Sequence, residues 1–131
     1  PLLLRTLPQA KMRMYPPETS VAEKLETLVK RGTENSRMKD FYDLKVLFEM
    51  FDFDKAVLQL AVRRTFERRQ TPLPVGLPTA LTDAFATNVK KLAQWKGFCR
   101  KSRIEEIPLP EVLARLADRV SEYELFLSQE N

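Results

Sequence analysis

The sequence predicts a mainly α protein of about five helices, with at most one short strand at its start. Three features of the 131 residues carry this reading. Apolar side chains recur at three-four spacing from Val21 almost to the C-terminus. Gly, Pro and Asx residues punctuate that pattern at intervals of helix length. Polar-apolar alternation, the mark of a half-buried strand, is confined to Lys11-Met12-Arg13-Met14. A strand that short needs a partner, and the later sequence offers none, so its expected sheet lies upstream of Pro1 or in another chain.

Pro16-Pro17 is expected to block helix, and Ser20 to cap the first one, with Glu23 completing a Ser-x-x-Glu capping box. Val21, Leu25, Leu28 and Val29 form its apolar face, and Gly32 is placed to end it. A second helix is expected over about Arg37 to Met50, with Phe41, Leu44, Leu47 and Phe48 buried. Tyr42, Val46 and Met50 widen that side, which makes this helix central. Asp52 or Asp54 caps a third, which runs to about Arg69 and carries Leu58, Ala61, Val62, Thr65 and Phe66 on one stripe. Phe85, Val89, Leu92, Trp95 and Cys99 predict a fourth, broken near Thr87-Asn88. Pro108 and Pro110 open the last, whose Leu113, Leu116, Val120, Tyr123 and Leu127 suit antiparallel packing on a neighbour.

The length and a 44% hydrophobic fraction suffice for one helical domain over residues 1–131 with a modest core. Within it, residues 1–70 hold the motif-bearing helices, the proline-rich run 71–78 is a linker, and 79–131 form a C-terminal helical pair. The absence of histidine and the single Cys99 exclude the usual zinc sites, Ser-His-Asp triads and Cys-His pairs. Three isolated glycines make no phosphate-cradling loop. No apolar run approaches the roughly 20 residues that span a bilayer, and Pro1-Leu-Leu-Leu4 is too short for a signal peptide. A lone cysteine suits a reducing compartment, so a soluble, cytoplasmic protein is expected. Because it begins at Pro1, the chain is read as a segment of something longer rather than a processed product.

Charge is informative by position rather than by its sum of +4. Lys24 stands one turn into the first helix, where a lysine can neutralise triphosphate charge during group transfer; an ordinary solvated lysine is the plainer alternative. Arg37 with Asp40, and Asp40 with Asp43, are spaced i, i+3, while Lys39 and Asp43 are spaced i, i+4, so all share one helical face. Carboxylates oriented by cations suit metal binding or the positioning of an attacking hydroxyl, but acids in a first turn are also routine helix stabilisers. Two basic patches remain, six Lys/Arg between Lys90 and Arg103 and the group Arg63, Arg64, Arg68 and Arg69. They suit a nucleic-acid backbone or, equally, internal pairing with the acidic last helix.

Two runs, Tyr15-Pro-Pro-Glu-Thr-Ser-Val-Ala-Glu-Lys24 and Asn35-Ser-Arg-Met-Lys-Asp-Phe-Tyr-Asp-Leu44, resemble the third and fourth motifs of the AbiEii/AbiGii toxin family. Thr65-Phe-Glu-Arg-Arg-Gln-Thr-Pro-Leu-Pro74 and Gln94-Trp-Lys-Gly-Phe98 are similar to the downstream segments of one large branch, and the likeness spans about residues 10 to 127. These are nucleotidyltransferase-like proteins of type IV toxin–antitoxin and phage-defence systems. The resemblance implies Lys24 and Asp40 as active-site residues, with Arg37, Lys39 and Asp43 binding substrate or shaping the site. It also implies a cognate antitoxin and tRNA or another RNA as partners, and Mg2+ with a nucleoside triphosphate for the full-length enzyme.

The family's earlier Gly-Ser or Gly-Gly turn and Asp-x-Asp metal pair have no counterpart in this sequence. Asp52-Phe53-Asp54 has the letters but lies between helices, so it is read as a cap and no metal site is assigned. The chain is therefore expected to be the C-terminal helical part of a nucleotidyltransferase toxin, inactive by itself. The alternatives are a non-catalytic helical module that binds a protein or RNA, and a degenerate homologue that antagonises a complete toxin. A missing core would leave apolar surface bare, so self-association is expected near the first residues and the start of the second helix.

Overall fold

The computed structural model describes residues 16–34 and 37–128. Among them are six α-helices: α1 (Pro17–Arg31), α2 (Met38–Met50), α3 (Lys55–Arg68), the single turn α4 (Asp83–Ala86), α5 (Val89–Ser102) and α6 (Leu109–Glu122). The mainly α expectation holds, with no strand among the described residues; Lys11 to Met14 lie outside them.

Helix α1 starts three residues before Ser20. Pro17 occupies its first turn, where a proline's fixed φ suits the helix and its missing N–H costs no bond, so the proline pair opens the helix rather than blocking it. The capping box does not form: Ser20 lies inside the helix, donating its N–H to Pro16 O. Gly32 ends α1 at φ 55°, a left-handed value that favours glycine. The choice between Asp52 and Asp54 falls to Asp54, whose Oδ1 accepts from Val57 N at 3.0 Å. The expected break at Thr87-Asn88 is present, and the Asn88 side chain caps α5 by accepting from Lys91 N.

Helix α2 is central, touching α1, α5 and α6, while α1 also packs along α3. One core unites all of them, with Val21, Leu25 and Leu28 from α1, Phe41, Leu44 and Phe48 from α2, and Leu58, Val62 and Phe66 from α3. Trp95 and Cys99 of α5 and Val112, Leu113 and Leu116 of α6 complete it. Truncating one of these leucines to alanine costs roughly 2–5 kcal/mol, since close-packed neighbours cannot refill the space. The proline-rich run is pinned to the C-terminal segment, with Gly76 N–H donating to Leu127 O and Leu127 N–H to Pro74 O.

Some expected core positions face outward. Val89 is 81% and Leu92 37% exposed; the inward face of α5 is instead Lys91, Trp95 and Cys99. Lys91 can lie inside because its ammonium sits over the Phe85 ring, 5.4 Å from the centroid. Met50 and Leu127 are also exposed. At the start of α2, where self-contact was expected, Met38 is buried. The first residues, the other half of that expectation, lie outside the described residues.

Candidate functional site

Consecutive residues on a helix point about 100° apart, and Ala22-Glu23-Lys24 uses this to serve three neighbours at once. Ala22 enters the core. Glu23 turns to the end of α3, with Oε2 3.6 Å from Arg68 Nη2 and 3.5 Å from Arg69 Nη2. Lys24 turns to α2. One turn on, Glu26 is only 2% exposed yet fully engaged. Arg69 Nη1 donates to its Oε1 at 2.8 Å, and Thr71 Oγ1 to its Oε2 at 2.6 Å. Burial alone pushes this carboxyl upward; the Thr71 hydroxyl and the Arg69 guanidinium, aided by Lys30, outweigh it and hold the group below the usual carboxylate range. This clamp fixes α1 against α3.

Across from the clamp, Lys24 Nζ lies 3.5 Å from Asp40 Oδ1 and 3.2 Å from Asp43 Oδ2. Arg37, the residue before α2, places Nε 3.3 Å from Asp40 Oδ2, and Lys39 Nζ donates to Asp43 Oδ2 at 2.7 Å. The structure therefore brings together all five residues that the sequence singled out, Lys24, Arg37, Lys39, Asp40 and Asp43. They form one side of an open cleft of about 560 Å³. Its other wall is α5, through Gln94, Gly97, Phe98 and Lys101. The spacing i, i+3, i+4, i+7 puts these four on one helical face. That spacing is legible in the sequence, and the resemblance covers Gln94 to Phe98, but nothing local says that this face meets Lys24.

Two acceptors in this cleft are unsatisfied. Asp40, 5% exposed, leaves Oδ2 buried without a hydrogen bond, although Arg37 is near in charge; Gln94 Oε1 is also buried without a partner among the described residues. A buried acceptor without a donor costs the fold free energy.

Four cations, Lys24, Arg37, Lys39 and Lys101, surround two carboxylates, so the cleft favours an anion. A metal ion does not fit. Asp40 and Asp43 already face those cations, and no group of three or more His, Cys, Asp or Glu is gathered among the described residues. Nor does Asp52-Phe53-Asp54 fit one, since Asp54 caps α3 and Phe53 is buried against Phe48 and Tyr123.

The basic patches separate. Arg68 and Arg69 are committed to Glu23 and Glu26, while Arg63 and Arg64 make no ion pair among the described residues. On α5, Lys91 is buried, but Lys90, Lys96, Arg100, Lys101 and Arg103 are exposed and likewise unpaired there. Among the described residues the acidic C-terminal helix forms no ion pair with them: Glu111 pairs with Arg115, Glu122 with Arg119, and Glu124 with Lys55. Cys99 is buried, and burial first, then Glu106, raise its thiol above the usual value, which makes it a poor nucleophile.

A family model described as the nucleotidyl transferase AbiEii toxin of type IV toxin–antitoxin systems matches residues 1–120. No curated protein and no solved structure gives a significant match. The chain belongs to the AbiEii family, and membership of a toxin family implies a cognate antitoxin as partner. Among the described residues, no helix is long and apolar enough to cross a membrane.

Proposed function

We propose that this chain forms the helical side of a nucleotidyl transfer site, which with an Asp-x-Asp core moves a nucleotide from a nucleoside triphosphate to an RNA acceptor. The convergence of Lys24 from α1 with Asp40 and Asp43 from α2 in one cationic cleft carries this reading. Lys24, steered by the two carboxylates, offers its ammonium to the phosphates; Arg37 adds a planar donor on the same side. Asp43, held by Lys39, keeps Lys24 in place. Asp40, a member of the cleft wall beside Lys24, accepts from the attacking hydroxyl and aligns it. Mg2+ belongs with the Asp-x-Asp core, not with these residues.

With labelled nucleoside triphosphates, Mg2+ and tRNA, this chain alone is expected to transfer nothing above background. Supplied with the core, it is expected to transfer, and Lys24→Ala or Asp40→Ala to abolish that transfer. Transfer by the chain alone, or full rates from both variants in the completed enzyme, would overturn the proposal.

The unpaired face of α5 favours a second reading, a non-catalytic helical module that holds RNA. RNA binding that survives both substitutions, with no transfer once the core is supplied, would select it.

A further inference from the structure

We infer that the α5 wall of the cleft, Gln94, Gly97, Phe98 and Lys101, is a nucleoside subsite; the inference rests on the nucleotidyl-transfer reading and assigns the part of the substrate beyond its phosphates.

Gly97 is the first reason. It sits inside α5, where glycine is the weakest helix former after proline, and its φ is not one that demands glycine. Packing does not demand it either, because a methyl group built there meets no other part of the fold within 4 Å among the described residues. What the missing side chain leaves is open space on the cleft wall, available to something that is not part of this chain.

The residues around that space match a nucleoside's three kinds of surface. Phe98, held by ring contacts to Tyr42 at 6.0 Å and Trp95 at 5.5 Å, offers a fixed apolar wall for a flat base. Gln94 adds an amide to the same wall, a group able to bond a base edge or a sugar hydroxyl. Lys101, without an ion pair among the described residues, faces the same cleft as Lys24 and Arg37 and extends the phosphate path toward α5. A bare phosphate would use the cations but neither Gly97 nor Phe98. The volume of about 560 Å³ lies in the ordinary range for sites of small organic ligands. The nucleoside could come from the incoming triphosphate or from the 3′ end of an RNA acceptor.

The test is equilibrium titration of this chain with the four ribonucleoside triphosphates, with a short single-stranded RNA, and with inorganic tripolyphosphate as a phosphate-only probe. At least one nucleotide ligand is expected to bind about tenfold tighter than tripolyphosphate, a ratio that base stacking supplies. Whether a triphosphate or the RNA shows the gain identifies the source. Gly97→Ala and Gly97→Leu, both better helix formers than glycine and with room for their Cβ, are expected to raise the melting temperature. They should also erase that nucleotide advantage and leave tripolyphosphate binding unchanged. Nucleotides and RNA binding no tighter than tripolyphosphate would overturn the subsite while leaving the phosphate reading standing. So would an advantage that survives Gly97→Leu. If neither tripolyphosphate nor any nucleotide binds, the transfer reading and the subsite both fall.

Discussion

Glu23 and Lys24 are neighbours on α1, yet they open onto two regions built in opposite ways. On the Glu23 side, acids and bases close on one another: Glu26 takes bonds on both oxygens, from Arg69 and Thr71. On the Lys24 side, cations outnumber carboxylates, two buried acceptors make no hydrogen bond among the described residues, and the side chains line an open cleft. The closed set holds two helices together. The open set is costly to the isolated fold, and such a cost is expected at a functional site.

If that contrast is right, substitutions on the two sides fail in different ways. Asp40→Asn tests it with the largest effect. In the enzyme completed by its core, transfer should fall by about 10²–10³, the usual loss when one positioned polar group is removed from a transition state. Binding of tripolyphosphate should instead tighten about threefold, because a negative charge has left the cleft. Loss of both together would show that Asp40 merely holds the fold.

The closed side should answer in stability alone. Arg69→Ala strands the buried Glu26 carboxylate with Thr71 and should cost about 2–3 kcal/mol. That is less than the roughly 3–5 kcal/mol of a fully buried pair, because Arg69 itself is partly exposed to solvent. Chemical denaturation measures the loss, and tripolyphosphate affinity should not move. A ligand defect in Arg69→Ala with unchanged stability would erase the distinction between the two sides.

Acid sharpens the same comparison. Because the folded-state pKa of Glu26 lies below its ordinary 4.5, its stabilising contribution is complete above that value and is lost as pH falls through the lower folded value. The stability gap between wild type and Glu26→Gln should therefore be constant at neutral pH and shrink below about 4.5. A gap that widens in acid would give the opposite sign and contradict the clamp.

The smallest effect concerns the outer face of α5. Replacing Lys96, Arg100 and Arg103 by Gln should leave stability within about 0.5 kcal/mol, since none has an ion pair among the described residues to lose. If they track RNA, each lost phosphate contact should reduce the slope of log affinity against log salt by about 0.7. An unchanged slope would confine RNA to the cleft.

Much of the fold was legible because helices are written locally. The stop at Gly32, the cap at Asp54 and the break at Thr87-Asn88 each depend on a few neighbouring residues, and each stands in the structure. The start of α1 was misread because Pro16-Pro17 carries two local meanings, a barrier to a helix in progress and a favourable first turn for a new one. The five residues from two motifs were also legible, through helical spacing and family resemblance, as members of one site.

By itself the sequence determined the helices, their punctuation beyond the start of α1 and the residues that gather at Lys24, because periodicity and capping act within a few residues of each other. Tertiary structure decided which face of α5 turns inward, burying Lys91 while leaving Val89 exposed, since a lysine stem beside the Phe85 ring can substitute for an aliphatic side chain. It decided which arginines are spent internally, because Glu26 meets Arg69 across 43 positions of chain. It also decided that Gln94, Gly97, Phe98 and Lys101 face Lys24 and Asp40, since only the packing of α5 on α2 sets that distance.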